Sequence, residues 1–298
     1  MRKVAKETYK RNLVSESCGK REQVCEKNAE RGKRMKIGFI GLGNMASAMI
    51  AGMLEKGIAR PEDMIGSDKF KAAREAANER FEIRVTEDNK EVAKVADILI
   101  LAVKPQMLSE VTAEIPDSIK DDTLVISIIA GRTLGQLSEA IGKPVKIVRC
   151  MPNTPAMVGA GCSGVCRNEL VTEDEMQKCL SLLSSFGIAE EVPEKLMDAV
   201  VGVSGSSPAY VFMFIEAMAD GAVKAGMPRA QAYRFAAQAV MGSAKLMLET
   251  GKHPGELKDM VCSPAGTTIE AVQVLEEMGF RSAVMDAVEA CVEKSRNM

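Results

Sequence analysis

The chain has 298 residues, 46% of them hydrophobic, with 39 Lys and Arg against 41 Asp and Glu for a formal charge of −2. That length holds one large core or two ordinary ones, and two is the usual arrangement. A single histidine, His253, and eight cysteines with no CxxC pair exclude histidine-based metal sites, a Ser-His-Asp triad and a disulfide framework.

The charge is unevenly spread: the first 34 residues carry eleven basic and five acidic side chains, a net of +6, which leaves −8 on the rest. This stretch has neither the apolar centre of a signal peptide nor the acid-poor composition of a transit peptide. It reads as a solvated basic arm, or as a start placed too early with the native start at Met35, in preference to a nucleic-acid or membrane-surface binding segment. Reduced thiols suit a cytoplasmic protein. No run of about 18 uncharged apolar residues occurs. The most apolar stretch, Ala209 to Gly226, is interrupted by Glu216, Asp220 and Lys224, so no membrane span is expected.

From Met35 the pattern becomes α/β. The segment MKIGFIGLGNM is a short apolar run closing in glycines before a helical stretch from Ala46 to Lys56. Further apolar runs at 64–66, 98–103, 124–129 and 145–150 alternate with helix-like segments such as 69–80 and 88–94, which predicts a Rossmann-type doubly wound parallel sheet. Gly41-Leu42-Gly43-Asn44-Met45-Ala46 follows the first strand and opens the first helix, the context in which GxGxx(G/A) signifies dinucleotide binding. Ile40, Gly41, Leu42, Gly43, Asn44 and Met45 would then line the pyrophosphate, with the helix start supplying N–H groups and partial positive charge.

The end of the second strand selects the cofactor. In Gly66-Ser67-Asp68-Lys69, Ser67 and Lys69 favour a 2′-phosphate, whereas Asp68 opposes it if it points inward. NADPH is therefore expected ahead of NADH. Asn89, in the loop after the third strand, would pass the adenosine end or simply start a helix. LAVKPQ (101–106) ends the fourth strand, so Ala102, Val103, Lys104 and Pro105 fall at the carboxyl ends where ligands bind, Pro105 opening the next helix. Lys104 is as readily an ordinary surface lysine. CMPNTP (150–155) places Asn153 in a rigid loop that can wall a nicotinamide pocket or serve only as a turn. Strands at 163–167 and 188–192 flank a helix at 172–185.

After Pro193 no further strand is convincing. The apolar spacing is helical at about 194–203, 208–226, 228–250, 255–261, 268–278 and 281–296. The expected organisation is thus a basic arm (1–34), a dinucleotide-binding Rossmann domain (35–193) and an all-α domain (194–298). Helix 209–226 is apolar on nearly every side, more than a hundred-residue domain can cover, which points to a partner subunit. In CSPAGTT (262–268), Pro264 and Gly266 stop one helix, and Thr267 with Glu270 fits a capping box for the next. The hydroxyls of Ser263 and Thr268 then sit by a fresh helix start, an arrangement suited to an anion, although two helices joined by a capped turn would look the same.

Six motifs in order, IGFIGLGNMASAMI, AVKPQ, RCMPNTP, VSGSSPAY, HPGELKDMVCSPAGTTIEAV and GFRSAVMDAVEA, make residues 35–296 resemble the pyrroline-5-carboxylate reductase family. Two positions depart mildly from its pattern: Ala265 and Ser207 stand where glycine is commoner. The resemblance implies NAD(P)H-dependent reduction of 1-pyrroline-5-carboxylate to L-proline, the last step of proline biosynthesis. It also implies that Ser263, Gly266 and Thr267 hold the substrate carboxylate, and that the Thr268 hydroxyl faces the ring nitrogen as the catalytic group. Finally it implies a homodimer through the helical domain, often assembled into decamers, with the site joining the Rossmann domain of one subunit to the helical domain of another. No metal, nucleic acid or membrane is called for. Two rivals are weaker. A β-hydroxyacid dehydrogenase needs a lysine that VGVSGSSPAYVFMFIEA (201–217) lacks, and a dinucleotide-binding regulator without turnover would have no use for the intact hydroxyls at 263–268.

Overall fold

A computed structural model describes residues 35–297; the basic arm lies outside the described residues. The chain divides between Glu194 and Lys195 into two compact units. In the first, eight strands form one sheet: β1 (Ile37–Ile40), β2 (Met64–Ser67), β3 (Arg84–Thr86), β4 (Ile98–Leu101), β5 (Leu124–Ser127), β6 (Lys146–Met151), β7 (Gly161–Arg167) and β8 (Gly187–Glu191), in the order β3-β2-β1-β4-β5-β6-β7-β8. Every residue of β1, β2, β4 and β5 is buried, because helices cover both faces and a strand so enclosed has no polar side to show.

The helices of this unit are α1 (Asn44–Glu55), α2 (Lys71–Phe81), α3 (Asn89–Val95), α4 (Leu108–Glu114), α5 (Leu134–Ile141) and α6 (Glu173–Leu183). Alternation along β1 sorts them. Ile37 and Phe39 join Met49, Ile50 and Met53 of α1 and Met176 of α6 in one cluster. Ile40 joins Val92 of α3, Val111 of α4 and Leu137 of α5 in the other. The strand order reverses direction at β1, so the crevice beside the carboxyl ends of β1 and β4 is the ligand position in a doubly wound sheet. Two strands depart from the expected all-parallel sheet: β7 runs antiparallel to β6, and β8 follows it, pairing parallel to β7. The connection between β6 and β7 holds only the 3-10 turn Thr154–Val158, too short for the crossover a parallel pair requires.

The second unit is helical: α7 (Met197–Val200), a π-helical turn (Val201–Gly205), α8 (Ser207–Lys224), α9 (Arg229–Thr250), α10 (Pro254–Val261), α11 (Thr267–Glu277) and α12 (Phe280–Arg296). Ser206 marks the join. It takes a bond from Cys291 of α12, Sγ to Oγ 3.1 Å, while Ser295 donates to Asp198 at 2.7 Å. Large apolar side chains stand open to solvent on this unit, Phe212 at 64%, Met213 at 70% and Leu248 at 78%, a surface that in soluble proteins marks an interaction face. Residues 194–224 form a helical stretch long and apolar enough to cross a bilayer by length and composition alone, with mean hydropathy 1.3, a property that the core helices of soluble proteins share.

Candidate active site

The candidate nucleotide site of the first unit is backbone. Gly41 turns the chain out of β1 with φ +96°, and a Cβ there would lie 2.6 Å from the Ala102 carbonyl oxygen. Only glycine tolerates both the left-handed conformation and the contact. The turn is tied down on either side: Gly41 N–H donates to Ser67 O and Ala102 N–H to Ile40 O, each at 2.8 Å, and Leu42 N–H donates to Asp68 Oδ2 at 2.9 Å. Gly43 occupies the N-cap of α1 with no side-chain cap, and a Cβ on it would meet nothing within 4 Å. The first N–H groups of α1, from Asn44 and Met45 onward, therefore face the space into which a pyrophosphate fits.

At the carboxyl end of β2 the structure revises the expected 2′-phosphate set. Ser67 is buried, and its hydroxyl donates inward to Asn89 Oδ1 at 2.7 Å. Asn89 is the first residue of α3, not a loop residue, and donates in turn to Glu114 Oε2 at 2.9 Å. Ser67 thus orients Asn89, since alternation along β2 turns its side chain into the sheet. Lys69 is exposed. Sequence reasoning missed Arg74, which donates to the carbonyls of Asp68 and Lys69 at 2.7 and 3.2 Å; an arginine one helical turn inside α2 carries no motif.

Lys104 is the N-cap of the 3-10 turn Pro105–Met107, with Val103 half-buried before it. Asn153 is buried, and its Oδ1 accepts from Cys162 N–H at 2.8 Å, pinning the start of β7. Three thiols lie between β6, β7 and α6. Burial pushes Cys166 and Cys179 up to about 12, and Cys150 higher still. None of these is a thiolate nucleophile near neutral pH.

The second unit carries its own candidate feature between α10 and α11. His253 caps α10, its Nδ1 accepting from Gly255 N–H at 3.1 Å, which gives the lone histidine a structural task. After Cys262 the chain makes a four-residue turn closed by Gly266 N–H to Ser263 O at 3.0 Å. Pro264 sits at its second position and Ala265 at its third with φ +54°. This is a type II arrangement, in which the third position favours glycine. The expected capping box is not formed. Gly266 is the N-cap in extended conformation, Thr267 is already the first helical residue, and no side chain caps α11. A threonine with helical backbone cannot fold its hydroxyl onto the N–H groups ahead of it as an N-cap does. The start of α11 therefore carries open N–H groups, with Ser263 and Thr267 exposed and Thr268 half-buried beside them. Among the described residues no group of three or more His, Cys, Asp or Glu could hold a metal ion.

Each unit has counterparts among known proteins. Residues 36–131 match the family model described as NADP oxidoreductase, coenzyme F420-dependent, and residues 194–298 match that for pyrroline-5-carboxylate reductase dimerisation. The chain is 55% identical over 263 residues to pyrroline-5-carboxylate reductase of Escherichia coli (strain K12), covering 88% of this chain and 98% of that one. It is 47% identical to the Methanosarcina acetivorans enzyme, covering 89% and 98%. Among solved structures, pyrroline carboxylate reductase of Plasmodium falciparum with NADP bound superimposes with TM-score 0.80 at 34% identity, and that of Coxiella burnetii with 0.84 at 33%, each covering 89% of this chain and 98% of the other. A prephenate dehydrogenase from Aquifex aeolicus, 13% identical with TM-score 0.52, shares the fold alone. With a nucleotide-binding glycine turn in one unit and an uncapped hydroxyl-lined helix start in the other, and with relatives matched along nearly their whole length, the chain belongs to the pyrroline-5-carboxylate reductase family.

Proposed function

We propose that the protein reduces 1-pyrroline-5-carboxylate to L-proline with NAD(P)H, NADPH preferred, as the last step of proline biosynthesis in the cytoplasm. The observation that carries this reading is the open start of α11, reached through the Ser263–Gly266 turn. An anionic imine needs a carboxylate anchor and a hydrogen-bond partner for its ring nitrogen. It needs neither a metal nor a histidine. The hydroxyls of Ser263 and Thr267 and the open N–H groups of the helix that starts after Gly266 supply the anchor, and the helix end adds favourable charge. The Thr268 hydroxyl faces the ring nitrogen, orients the iminium and assists its proton. Bound NAD(P)H supplies the hydride. A protonated imine already carries the activating charge, so the protein's task is chiefly to hold the reacting carbon in place.

The glycine turn suits such a cofactor, because a Cβ on Gly43 would meet nothing within 4 Å and the first N–H groups of α1 have no side-chain cap. Homodimers form through the helical unit, whose exposed Phe212, Met213 and Leu248 supply the apolar face, and dimers assemble into decamers. This subunit contact also accounts for the apolar run 194–224 without a membrane, and neither nucleic acid nor a metal takes part. The test is loss of reduced-cofactor absorbance with pyrroline-5-carboxylate, run side by side with NADPH and NADH, together with the mass in solution. No turnover with either cofactor would leave a dinucleotide-binding regulator. Faster turnover with NADH would reverse the cofactor preference, and a monomer would refute the assembly.

A further inference from the structure

The turn between β2 and α2 is held from both sides by its own side chains. Asp68 spends both carboxylate oxygens on backbone N–H groups: Oδ2 accepts from Leu42, inside the glycine turn, and Oδ1 from Phe70, each at 2.9 Å. From α2, Arg74 reaches back to the same turn and donates to the carbonyl oxygens of Asp68 at 2.7 Å and Lys69 at 3.2 Å. Its side chain is only 16% exposed, and its second nitrogen faces Glu87 at 3.3 Å. Lys69 alone points outward. Its Nζ lies 3.6 Å from Met107 Sδ and 5.6 Å from the Phe70 ring centroid, and among the described residues no carboxylate pairs with it.

A carboxylate at the end of the second strand ordinarily accepts the ribose 2′-OH and so selects NAD over NADP. Asp68 stands at that place with both oxygens already committed. Turning it toward a ribose would strip the acceptor from Leu42 N–H in the turn that positions the pyrophosphate, a costly exchange for a backbone donor. We infer that Asp68 and Arg74 are positioning residues that build the nucleotide-binding turn for either cofactor, and that Lys69 is the specificity determinant that takes the 2′-phosphate of NADP. The Asp68 carboxylate is engaged where it lies by two backbone N–H groups, and the Arg74 guanidinium is taken up by backbone carbonyls and Glu87. The cation that remains for an incoming phosphate is Lys69.

This rests on the cofactor reading above, and calorimetric titration separates the two. The full-length protein is titrated with NADP+, NAD+, adenosine 2′,5′-bisphosphate and AMP, in the absence of pyrroline-5-carboxylate. Asp68→Ala should weaken NADP+ and NAD+ by the same factor, about 10-fold, the scale of a hydrogen bond to a charged group. Arg74→Ala should behave in the same way. Asp68→Asn, which keeps one acceptor oxygen, should recover part of the loss for both cofactors and keeps the comparison readable if the alanine variant folds poorly. Lys69→Ala should weaken NADP+ and adenosine 2′,5′-bisphosphate about 10-fold more than NAD+ and AMP. An Asp68→Ala protein that loses NAD+ but gains NADP+ affinity would make Asp68 the ribose acceptor and overturn the assignment. So would unchanged affinities in Asp68→Ala and Asp68→Asn, or a Lys69→Ala that weakens all four ligands equally. A wild-type protein that binds both dinucleotides with these ratios yet reduces no imine sinks the proposed reaction and sustains this inference; one that binds neither overturns it.

Discussion

Gly41 and Gly43 sit two residues apart in one turn, and the structure assigns them opposite kinds of necessity. A methyl group on Gly41 would lie 2.6 Å from the Ala102 carbonyl oxygen and 2.8 Å from its carbon. Real Cβ atoms essentially never come within 3.0 Å, so the backbone at the end of β4 or the turn itself must move by at least about 0.4 Å. That overpacking costs about 1–3 kcal/mol. Forcing an alanine to φ +96° adds about 1–2 kcal/mol. Gly41→Ala should therefore lose about 2–5 kcal/mol, a large share of the roughly 5–15 kcal/mol that stabilises a native protein. Gly43 has an ordinary φ of −73° and open space around it, so Gly43→Ala should cost the fold at most about 1 kcal/mol as a poorer N-cap. The methyl group would instead stand where the pyrophosphate approaches. A penalty of about 1–3 kcal/mol there corresponds to roughly 5- to 150-fold weaker cofactor binding. Urea denaturation and calorimetric titration with NADP+ measure the two effects separately. A Gly41→Ala protein with the wild-type urea midpoint would refute the clash argument. Wild-type NADP+ affinity in Gly43→Ala would remove the pyrophosphate from this turn.

Thr268→Ala should lower kcat/KM by roughly 10- to 1000-fold, the scale of a positioned proton-transfer group, with NADPH affinity unchanged in direct titration; wild-type rates would take the hydroxyl out of the reaction. Ala265 holds φ +54° in the type II turn. Ala265→Gly should relieve about 1 kcal/mol of strain against about 0.5 kcal/mol of added freedom in the unfolded chain, giving a modest rise in the urea midpoint, and a fall would show that the alanine is not strained. Glu175 has a lowered pKa. Burial works to raise it, but the Lys146 ammonium and the Thr172 N–H and hydroxyl outweigh that. A group depressed in the folded state adds stability above its ordinary value of 4.5 and loses it as pH falls through the folded value. Melting temperature should accordingly drop less on acidification through that range in Glu175→Gln than in wild type, and parallel curves would exclude the linkage.

Strands β1, β2, β4 and β5 were legible because each is a short run enclosed on both faces, and such a run leaves little else to form. Gly41 was legible for a similar reason: a glycine between a strand and a helix start is a statement about backbone angle. The reversal at β7 was available in principle, since 152–160 is too short for a crossover, but apolar periodicity carries no direction. At the signature loop, pattern matching chose Thr267 as the cap because Thr-x-x-Glu satisfies the rule. The preceding type II turn instead delivers the chain extended at Gly266, and the cap falls one residue earlier. The commitments of Ser67 and Asp68 were hidden for another reason. Which way a side chain leaves the end of a strand depends on partners some 20 residues away, Asn89 for the one and Leu42 for the other, and no local window contains them.

The uncapped start of α11 has a bearing on how this protein can change over time. Glycine is a weaker cap than Ser, Asp or Asn, any of which at 266 would cap the helix and add a few tenths of a kcal/mol. Any of them would also accept from the N–H of Thr268 or Ile269 and so fill the open helix start that the substrate's carboxylate is proposed to enter. Selection for stability and selection for turnover thus pull on the same position, as strained or open active sites generally require. The most accessible stabilising mutations in this loop are the ones that close it, and a thermostable descendant of this protein must find its added stability elsewhere in the chain.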